Sequence, residues 1–264
     1  MEDRVTLNSG VFMPVIGFGT WSLTPDSIAR SVVTLAIQAG YRLIDTASIY
    51  RNENGVGNAI KNSGIPRSEI FVTTKLWNTD QGFKNAQKAF DMSIDRLGLD
   101  YVDLYLIHWP SDKLHHEESW RALEGIYNSG RIKAIGVSNF TVGHLQELLD
   151  FAVITPAVNQ VEFHPFNYDS QKSIIDFCHD QKIAIQAYSP LSQGRNIRDP
   201  RLSAISQKLG KSNAQVLIRW GIQHGVVPIP RSSEEKHIEQ NIDVFDFEIP
   251  SIDMKKLDKL QNRN

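Results

Sequence analysis

A rhythm constrains the fold of this chain more than any single motif. Short, nearly continuous apolar runs alternate with longer amphipathic stretches. The runs lie at 15–19, 42–44, 70–74, 102–107, 132–137, 157–160, 183–186 and 226–228. Unbroken hydrophobicity is what strands need when both faces of their sheet are covered. Helical patterns fall between them at 26–39, 54–62, 81–97, 117–128, 142–149, 170–179 and 213–223, with an extra helix at 201–209. In 81–97 the logic is plain: Phe83, Ala86, Phe90, Ile94 and Leu97 recur at three- and four-residue spacing, and Gly98 supplies a C-terminal stop.

Eight strands alternating with helices, with no Pro/Gly/Ser linker between them, predict one α/β domain over residues 1–264, a parallel sheet closed into an eightfold (β/α)8 TIM barrel. The turn signal Asn8-Ser9-Gly10, between 5–7 and 11–14, predicts an N-terminal β-hairpin that caps the barrel bottom. A doubly wound sheet is the competing topology, and it normally carries G-x-G-x-x-G after its first strand. Gly17-Phe18-Gly19 has Ser22 in the third glycine's place, and Gly55-Val56-Gly57 has Ile60 there. The barrel is the better reading.

Composition enters as exclusion. With 41% hydrophobic and 22% charged residues and a net charge of −2, the chain is neither disordered nor basic enough for a nucleic-acid footprint. No apolar run approaches the ~20 residues of a membrane span, and 11–18 is broken by Pro14 and Gly17. The start, MEDRVTL, has no signal-like apolar region. A lone cysteine, Cys178, favours a reducing compartment, so a cytoplasmic monomer is expected.

Function in such a barrel sits where strands end. Asp45 follows the second run, with Tyr50 in the loop beyond; Lys75 and Trp77 follow the third; His108 and Trp109 follow the fourth. Ser138 and Asn139, then Gln160, then Tyr188 and Ser189, then Arg231, Ser232 and Ser233 stand at later exits. A tyrosine hydroxyl, with a pKa of about 10, is a poor proton donor near neutrality unless a cation lowers that value. Lys75 is expected to supply the cation, Asp45 to hold the lysine charged, and a neutral His108 to orient a carbonyl. Singly, each has a plain structural reading: Asp45 as a cap, Lys75 on the surface, His108 as a satisfied strand-end residue. Their joint placement favours chemistry. Three of the five tryptophans, Trp21, Trp77 and Trp109, fall just past strand ends and predict an apolar cavity mouth over the polar cluster, though one or two could instead pack between helices.

GYRLIDTASIYRNENGVGNAI, FVTTKLW, LGLDYVDLYLIHWP, GVSNF, NQVEFHP and AYSPL stand in this order along the chain. Together they resemble the aldo-keto reductases, over residues 5–247, and within that family the bacterial 2,5-diketo-D-gluconate reductase type. The resemblance implies an eightfold barrel enzyme that reduces the carbonyl of small aldehydes, ketones or dicarbonyls with NADPH by direct hydride transfer, NADH being used less well. It implies Tyr50 as general acid, tuned by Asp45 and Lys75, with His108 positioning the substrate and Trp21, Trp77 and Trp109 walling it. Tyr188 would stack under the nicotinamide, and Ser138, Asn139 and Gln160 would hold its carboxamide. Gly19, Thr20, Trp21 and Asp45 would border the cofactor, and Ser189, Leu191, Gln193 and Gly194 would follow its pyrophosphate. Arg231, Ser232, Ser233, His237, Gln240 and Asn241 would surround its adenosine end. No metal is required, and His115-His116-Glu117 lacks a further ligand of suitable spacing.

That adenosine end departs from the family pattern, which has a lysine before the serine, then an arginine and a Glu-Asn pair. Here Arg231 takes the lysine place, His237 the arginine place and Gln240 the glutamate place, while Asn241 is kept. A helix opening at Ser232 would offer free N–H groups to a phosphate, whereas Ser232 with Glu235 also fits a capping box. Glu234 and Glu235 would oppose a 2′-phosphate, Arg231 and Lys236 would favour it, so a weakened NADPH preference is expected. Two other functions fit parts of the pattern: a Schiff-base aldolase using Lys75, and a non-catalytic nucleotide-binding barrel. After Asn241, 264 − 241 = 23 residues remain. A short helix at 252–260 on the barrel's outside, and an open pocket of broad tolerance, are expected.

Overall fold

The computed structural model describes residues 4–261; Met1–Asp3 and Asn262–Asn264, the tips of the two terminal segments considered above, lie outside them. Asn8-Ser9-Gly10 turns the chain as expected. Gly10 takes φ +81°, a left-handed value that suits glycine, and Leu7 N–H closes the turn on Val11 O at 2.9 Å. β1 (Arg4–Thr6) therefore pairs antiparallel with β2 (Phe12–Pro14). Met13 and Leu7 are buried among Leu43, Phe71, Leu104, Leu106, Val158 and Val227, so the hairpin plugs the barrel with apolar side chains. Asn8 Nδ2 pins it from outside by donating to Pro156 O at 2.9 Å.

The eight apolar runs form β3 (Phe18–Gly19), β4 (Leu43–Asp45), β5 (Phe71–Leu76), β6 (Val102–Ile107), β7 (Ile132–Ser138), β8 (Val158–Glu162), β9 (Ala184–Tyr188) and β10 (Val227–Pro228). All are parallel and pair in sequence order from β3 to β10. Gly17 N–H donates to Pro228 O at 2.9 Å and Gly19 N–H to Pro230 O at 3.0 Å, which joins the first strand to the last. The ring is closed. Ten helices cover it among the described residues: α1 (Asp26–Gln38), α2 (Glu53–Lys61), α3 (Phe83–Leu97), α4 (Lys113–Asn128), α5 (Val142–Leu149), α6 (Tyr168–Asp180), α7 (Pro200–Leu209), α8 (Asn213–Gln223), α9 (Glu235–Ile242) and α10 (Ser251–Leu257).

Two helix starts differ from expectation by three residues or more. α4 opens at Lys113 rather than 117, because Asp112 accepts the His115 N–H at 3.1 Å and caps a polar first turn. α9 opens at Glu235 rather than at Ser232. The Ser232 hydroxyl instead accepts the Glu234 N–H at 3.1 Å, folding a short turn ahead of the helix, and the expected capping box does not form. α10 lies on the outside, where Asp258 accepts Trp220 Nε1–H at 2.8 Å and Leu257 is buried in the helix–sheet core. None of the described helices is long and apolar enough to cross a membrane.

Candidate active site

The register of the strands brings the polar exits to one end of the barrel. Asp45 is the last residue of β4, Lys75 the penultimate residue of β5, and His108 the first residue after β6. Tyr50 ends a single 3₁₀ turn, Ser48–Tyr50, and Arg51 behind it takes φ +56° to leave the turn. Ser48 Oγ donates to Lys75 O at 3.0 Å, which ties that turn to β5. Asn52, fully buried, donates to Thr20 O (2.8 Å) and Leu23 O (3.1 Å) and accepts from Thr46 Oγ1 (2.7 Å). Glu53, also buried, accepts from Thr74 Oγ1 at 2.6 Å and from Arg96 Nε at 2.7 Å. The loop carrying Tyr50 is thus fixed to β3, β4 and β5 by residues that never face the cavity. Neither Asn52 nor Glu53 was anticipated; the polar run Asn52-Glu53-Asn54 reads in sequence as the opening of a helix and no more.

Lys75 Nζ, with no exposed surface, donates to Asp45 Oδ1 at 2.5 Å and Thr46 O at 2.9 Å, and stands 3.5 Å from Tyr50 Oη. Gln160 Nε2 donates to the other Asp45 oxygen at 2.7 Å and to Gln186 Oε1 at 2.8 Å. Burial alone would push the Lys75 ammonium down, but Asp45 and then Tyr50 outweigh it and hold the group above its ordinary value. Burial raises the Tyr50 phenol, Lys75 pulls it back, and Asp45 raises it again. The net direction is up, a correction to the expected lowering, because desolvation of the phenolate exceeds the help of an ammonium 3.5 Å away. His108 is driven down to about 2, first by burial and then by the Lys75 charge, so its ring is neutral. That ring stands edge-on between Tyr50 (centroids 5.6 Å apart) and Trp77 (5.2 Å).

Above these groups opens a cavity of about 740 Å³, a typical size for a small-molecule site. Asp45, Tyr50 and His108 line it together with Trp21, Trp77 and Trp109, while the other two tryptophans, Trp120 and Trp220, are buried in the helix–sheet core. Its other wall carries Ser138, Asn139, Gln160 and Tyr188. Asn139 Nδ2 donates to His108 O at 3.0 Å, and its Oδ1 accepts from Tyr188 Oη at 2.9 Å. Burial, then Glu162 and Tyr50, raises the Tyr188 phenol to about 12, which keeps it a neutral donor.

The Aldo/keto reductase family profile matches residues 15–262, the whole barrel. The chain belongs to the aldo/keto reductase family. It is 51% identical to the glyoxal reductase of Bacillus subtilis over 260 residues, covering 98% of this chain and 93% of that one. It is 44% identical to the morphine 6-dehydrogenase of Pseudomonas putida, over 97% of this chain and 90% of the relative. The crystal structure of an aldo/keto reductase from Brucella melitensis superposes with a TM-score of 0.94 at 46% identity, covering 98% and 99% of the two chains.

Within this aldo/keto reductase, Gly19, Ser189, Leu191, Gln193 and Arg231 also line the cavity. Thr20 lies beneath it, fully buried, with its hydroxyl on Asp45 O at 2.9 Å. Gly194, Ser232, Ser233, His237, Gln240 and Asn241 stand off the lining: the His237 ring lies 3.3 Å from the Glu234 carboxylate, and Asn241 is on the buried face of α9. Ser22, Ile49 and Glu162 are lining residues that the sequence pattern did not single out. His115 and His116 serve the start of α4. Asp112 accepts from the His115 backbone and contacts its ring at 2.7 Å, while His116 Nε2 accepts the Ser111 N–H. Among the described residues, no group of three His, Cys, Asp or Glu side chains is placed to hold a metal.

Proposed function

We propose that the protein is an NADPH-dependent carbonyl reductase of small aldehydes, ketones and dicarbonyls, with Tyr50 as the proton donor. One observation carries the reading: a phenol that keeps its proton at neutral pH, backed by a buried lysine–aspartate pair and flanked by a neutral imidazole, opens into a tryptophan-walled cavity. The carbonyl oxygen of a substrate in that cavity takes the Tyr50 proton. Lys75 offsets the negative charge left on the phenolate, and Asp45 keeps the ammonium in place. His108, neutral and on the cavity lining, is able to donate or accept a hydrogen bond through its ring edge and orients the carbonyl.

The second wall suits a nicotinamide cofactor. Gln160 spends its donors on Asp45 and Gln186, which leaves its Oε1 for a carboxamide N–H, with Ser138 and Asn139 beside it. Tyr188 offers a ring face held in place by Asn139. Ser189, Ser192, Gln193 and Gly194 all take left-handed backbone values, which fold the loop after β9 into tight turns, with Ser189 and Gln193 on the cavity lining where a pyrophosphate would run. Bound there, NADPH supplies the hydride for the carbonyl carbon. Arg231, the one Lys or Arg among the described lining residues, would serve the adenosine phosphate. The glyoxal reductase relative points to small dicarbonyls as the substrate class.

The aldolase reading requires a neutral, accessible Lys75 amine. Lys75 is instead buried and held as an ammonium. Oxidation of NADPH on addition of glyoxal, methylglyoxal, diketo-sugars and aromatic aldehydes tests the proposal. Tyr50→Phe keeps the ring and removes the proton, so kcat/KM is expected to fall by about a hundredfold to ten-thousandfold, with NADPH affinity nearly unchanged by fluorescence titration. A variant that retains more than about a tenth of the wild-type kcat overturns the assignment of Tyr50 as general acid.

A further inference from the structure

The tryptophan wall raises a mechanical problem. The Trp109 side chain is 44% exposed. Packing alone does not fix a half-exposed ring, so the position of that wall depends on what holds its backbone. The loop after β6 carries it, and four contacts hold that loop. Asn139 Nδ2 donates to His108 O at 3.0 Å from the β7 side. Asn78 Nδ2 donates weakly to Pro110 O at 3.4 Å. Ser111 N–H donates to His116 Nε2 at the start of α4. The contact that makes two hydrogen bonds at once comes from Gln81, a buried residue at the end of the loop that carries Trp77. Its Nε2 donates to Trp109 O at 2.8 Å, and its Oε1 accepts from Ser111 Oγ.

We infer that Gln81 is a positioning residue for substrate recognition, a clamp that makes the Trp77 loop and the Trp109 loop one rigid wall. The inference rests on the reductase reading for its kinetic part only. Gln81 is 4% exposed and does not line the cavity, so it touches neither substrate nor the Tyr50 relay. Its amide is bifunctional where the geometry needs it: one donor for a backbone carbonyl and one acceptor for a hydroxyl, thirty residues or fewer along the chain. A carboxylate keeps only the acceptor, and an aliphatic side chain keeps neither. Because the clamp fixes the width between Trp77 and Trp109, it acts on ligands large enough to touch both rings.

Two variants test this. Gln81→Leu preserves volume and removes both hydrogen bonds; Ser111→Ala, on a more exposed loop, removes one. In Gln81→Leu the KM for a two-ring aromatic aldehyde is expected to rise about fivefold, the KM for glyoxal by less than about twofold, with kcat for both near wild type. Ser111→Ala should shift the same ratio by a smaller factor. Hydrogen exchange of the unliganded protein gives a readout that needs no turnover: amides of the 109–116 segment should exchange faster in Gln81→Leu, and those of 44–50 should not. Equal KM changes for both aldehydes, a fall in kcat with KM unmoved, or unchanged exchange at 109–116 would each overturn the clamp. Should the wild-type chain reduce no carbonyl, the reductase reading fails, while the exchange comparison still decides whether Gln81 holds the loop.

Discussion

Lys75 and Tyr50 settle between them where the positive charge of the site resides. With the ammonium fully buried and 2.5 Å from Asp45, the charge lies beneath the phenol and not at the cavity mouth. Lys75→Met removes the one group that pulls the Tyr50 pKa down, so the phenol should keep its proton to still higher pH. Carbonyl reduction with Tyr50 as the proposed donor should then lose rate on the alkaline side later than in the wild type, although the rate itself is much lower. A pH profile of kcat/KM checks this, and an unmoved alkaline limb in a still-active variant would refute the role. The same change strands Asp45 in a buried setting and should cost about 3 kcal/mol of stability or more in urea unfolding. His108 bears on stability with a different sign of pH dependence. Its folded pKa of about 2 lies below the ordinary 6.5, so between those values the unfolded chain binds a proton that the folded ring refuses. The contribution is complete above about pH 6.5 and is lost as pH falls, with a slope of up to about 1.4 kcal/mol per pH unit. Unfolding free energies between about pH 7 and pH 4.5 should fall less steeply in His108→Gln, and equal slopes would show that His108 is not desolvated.

At the scale of elements, α2 shows how a motif that fails one test meets another. Gly55-Val56-Gly57 lacks the third glycine of a dinucleotide loop, and the structure gives the two glycines a packing role. A Cβ on Gly57 would stand 1.9 Å from Leu97 O, and one on Gly55 2.2 Å from Asp26 O, so α2 lies backbone to backbone against its neighbours. Gly57→Ala must push α2 outward, and overpacking of this kind costs about 1–3 kcal/mol. Since Asn52 and Glu53 stand at the start of the same helix, the shift should also lower kcat; a variant with wild-type unfolding midpoint and wild-type kcat would refute the account. Barrel strands were legible as apolar runs, but five of them, β4, β5, β7, β8 and β9, run one or two residues beyond the run. The reason is physical: ladder hydrogen bonds continue regardless of side-chain polarity, and the last one or two residues of several strands include polar ones, Asp45, Ser138 and Tyr188 on the cavity lining and Lys75 beneath it. Asp45, Lys75, Ser138 and Tyr188, read as exits, are strand residues. Asn52, Glu53 and Gln81 were not legible at all. Each satisfies partners on another element, Thr20 O, Arg96 and Trp109 O, and no local pattern announces a contact of that range.

Over the whole molecule, charge and shape jointly set how a cofactor is met. The chain carries a net charge of −2, so the protein as a whole does not attract a polyanion, and discrimination between NADPH and NADH falls to a few local cations. Arg231, the cation on the cavity lining, is engaged. Its Nε donates to Trp21 O at 3.1 Å and its guanidinium reaches Ser22 Oγ, while the His237 ring lies 3.3 Å from the Glu234 carboxylate. A 2′-phosphate must compete with these partners, at a site that is open to salt, and Glu234 and Glu235 are exposed beside it. No described residue after Arg231 lines the cavity, and α10 packs against α8 through Trp220 and Asp258, so the described C-terminal segment adds no charge or cover there. The expected outcome is a modest preference: kcat/KM higher with NADPH than NADH by about fivefold at moderate salt, the range of a few exposed ion contacts. The preference should shrink as salt rises, because screening acts on the extra phosphate and leaves the shared contacts alone. Arg231→Met should bring the two cofactors close to equality, through NADPH and not through NADH. Steady-state kinetics with both cofactors at two salt concentrations decides it: an NADH preference above about tenfold, or a preference for NADPH indifferent to salt, would mean that groups other than Arg231 read the adenosine end.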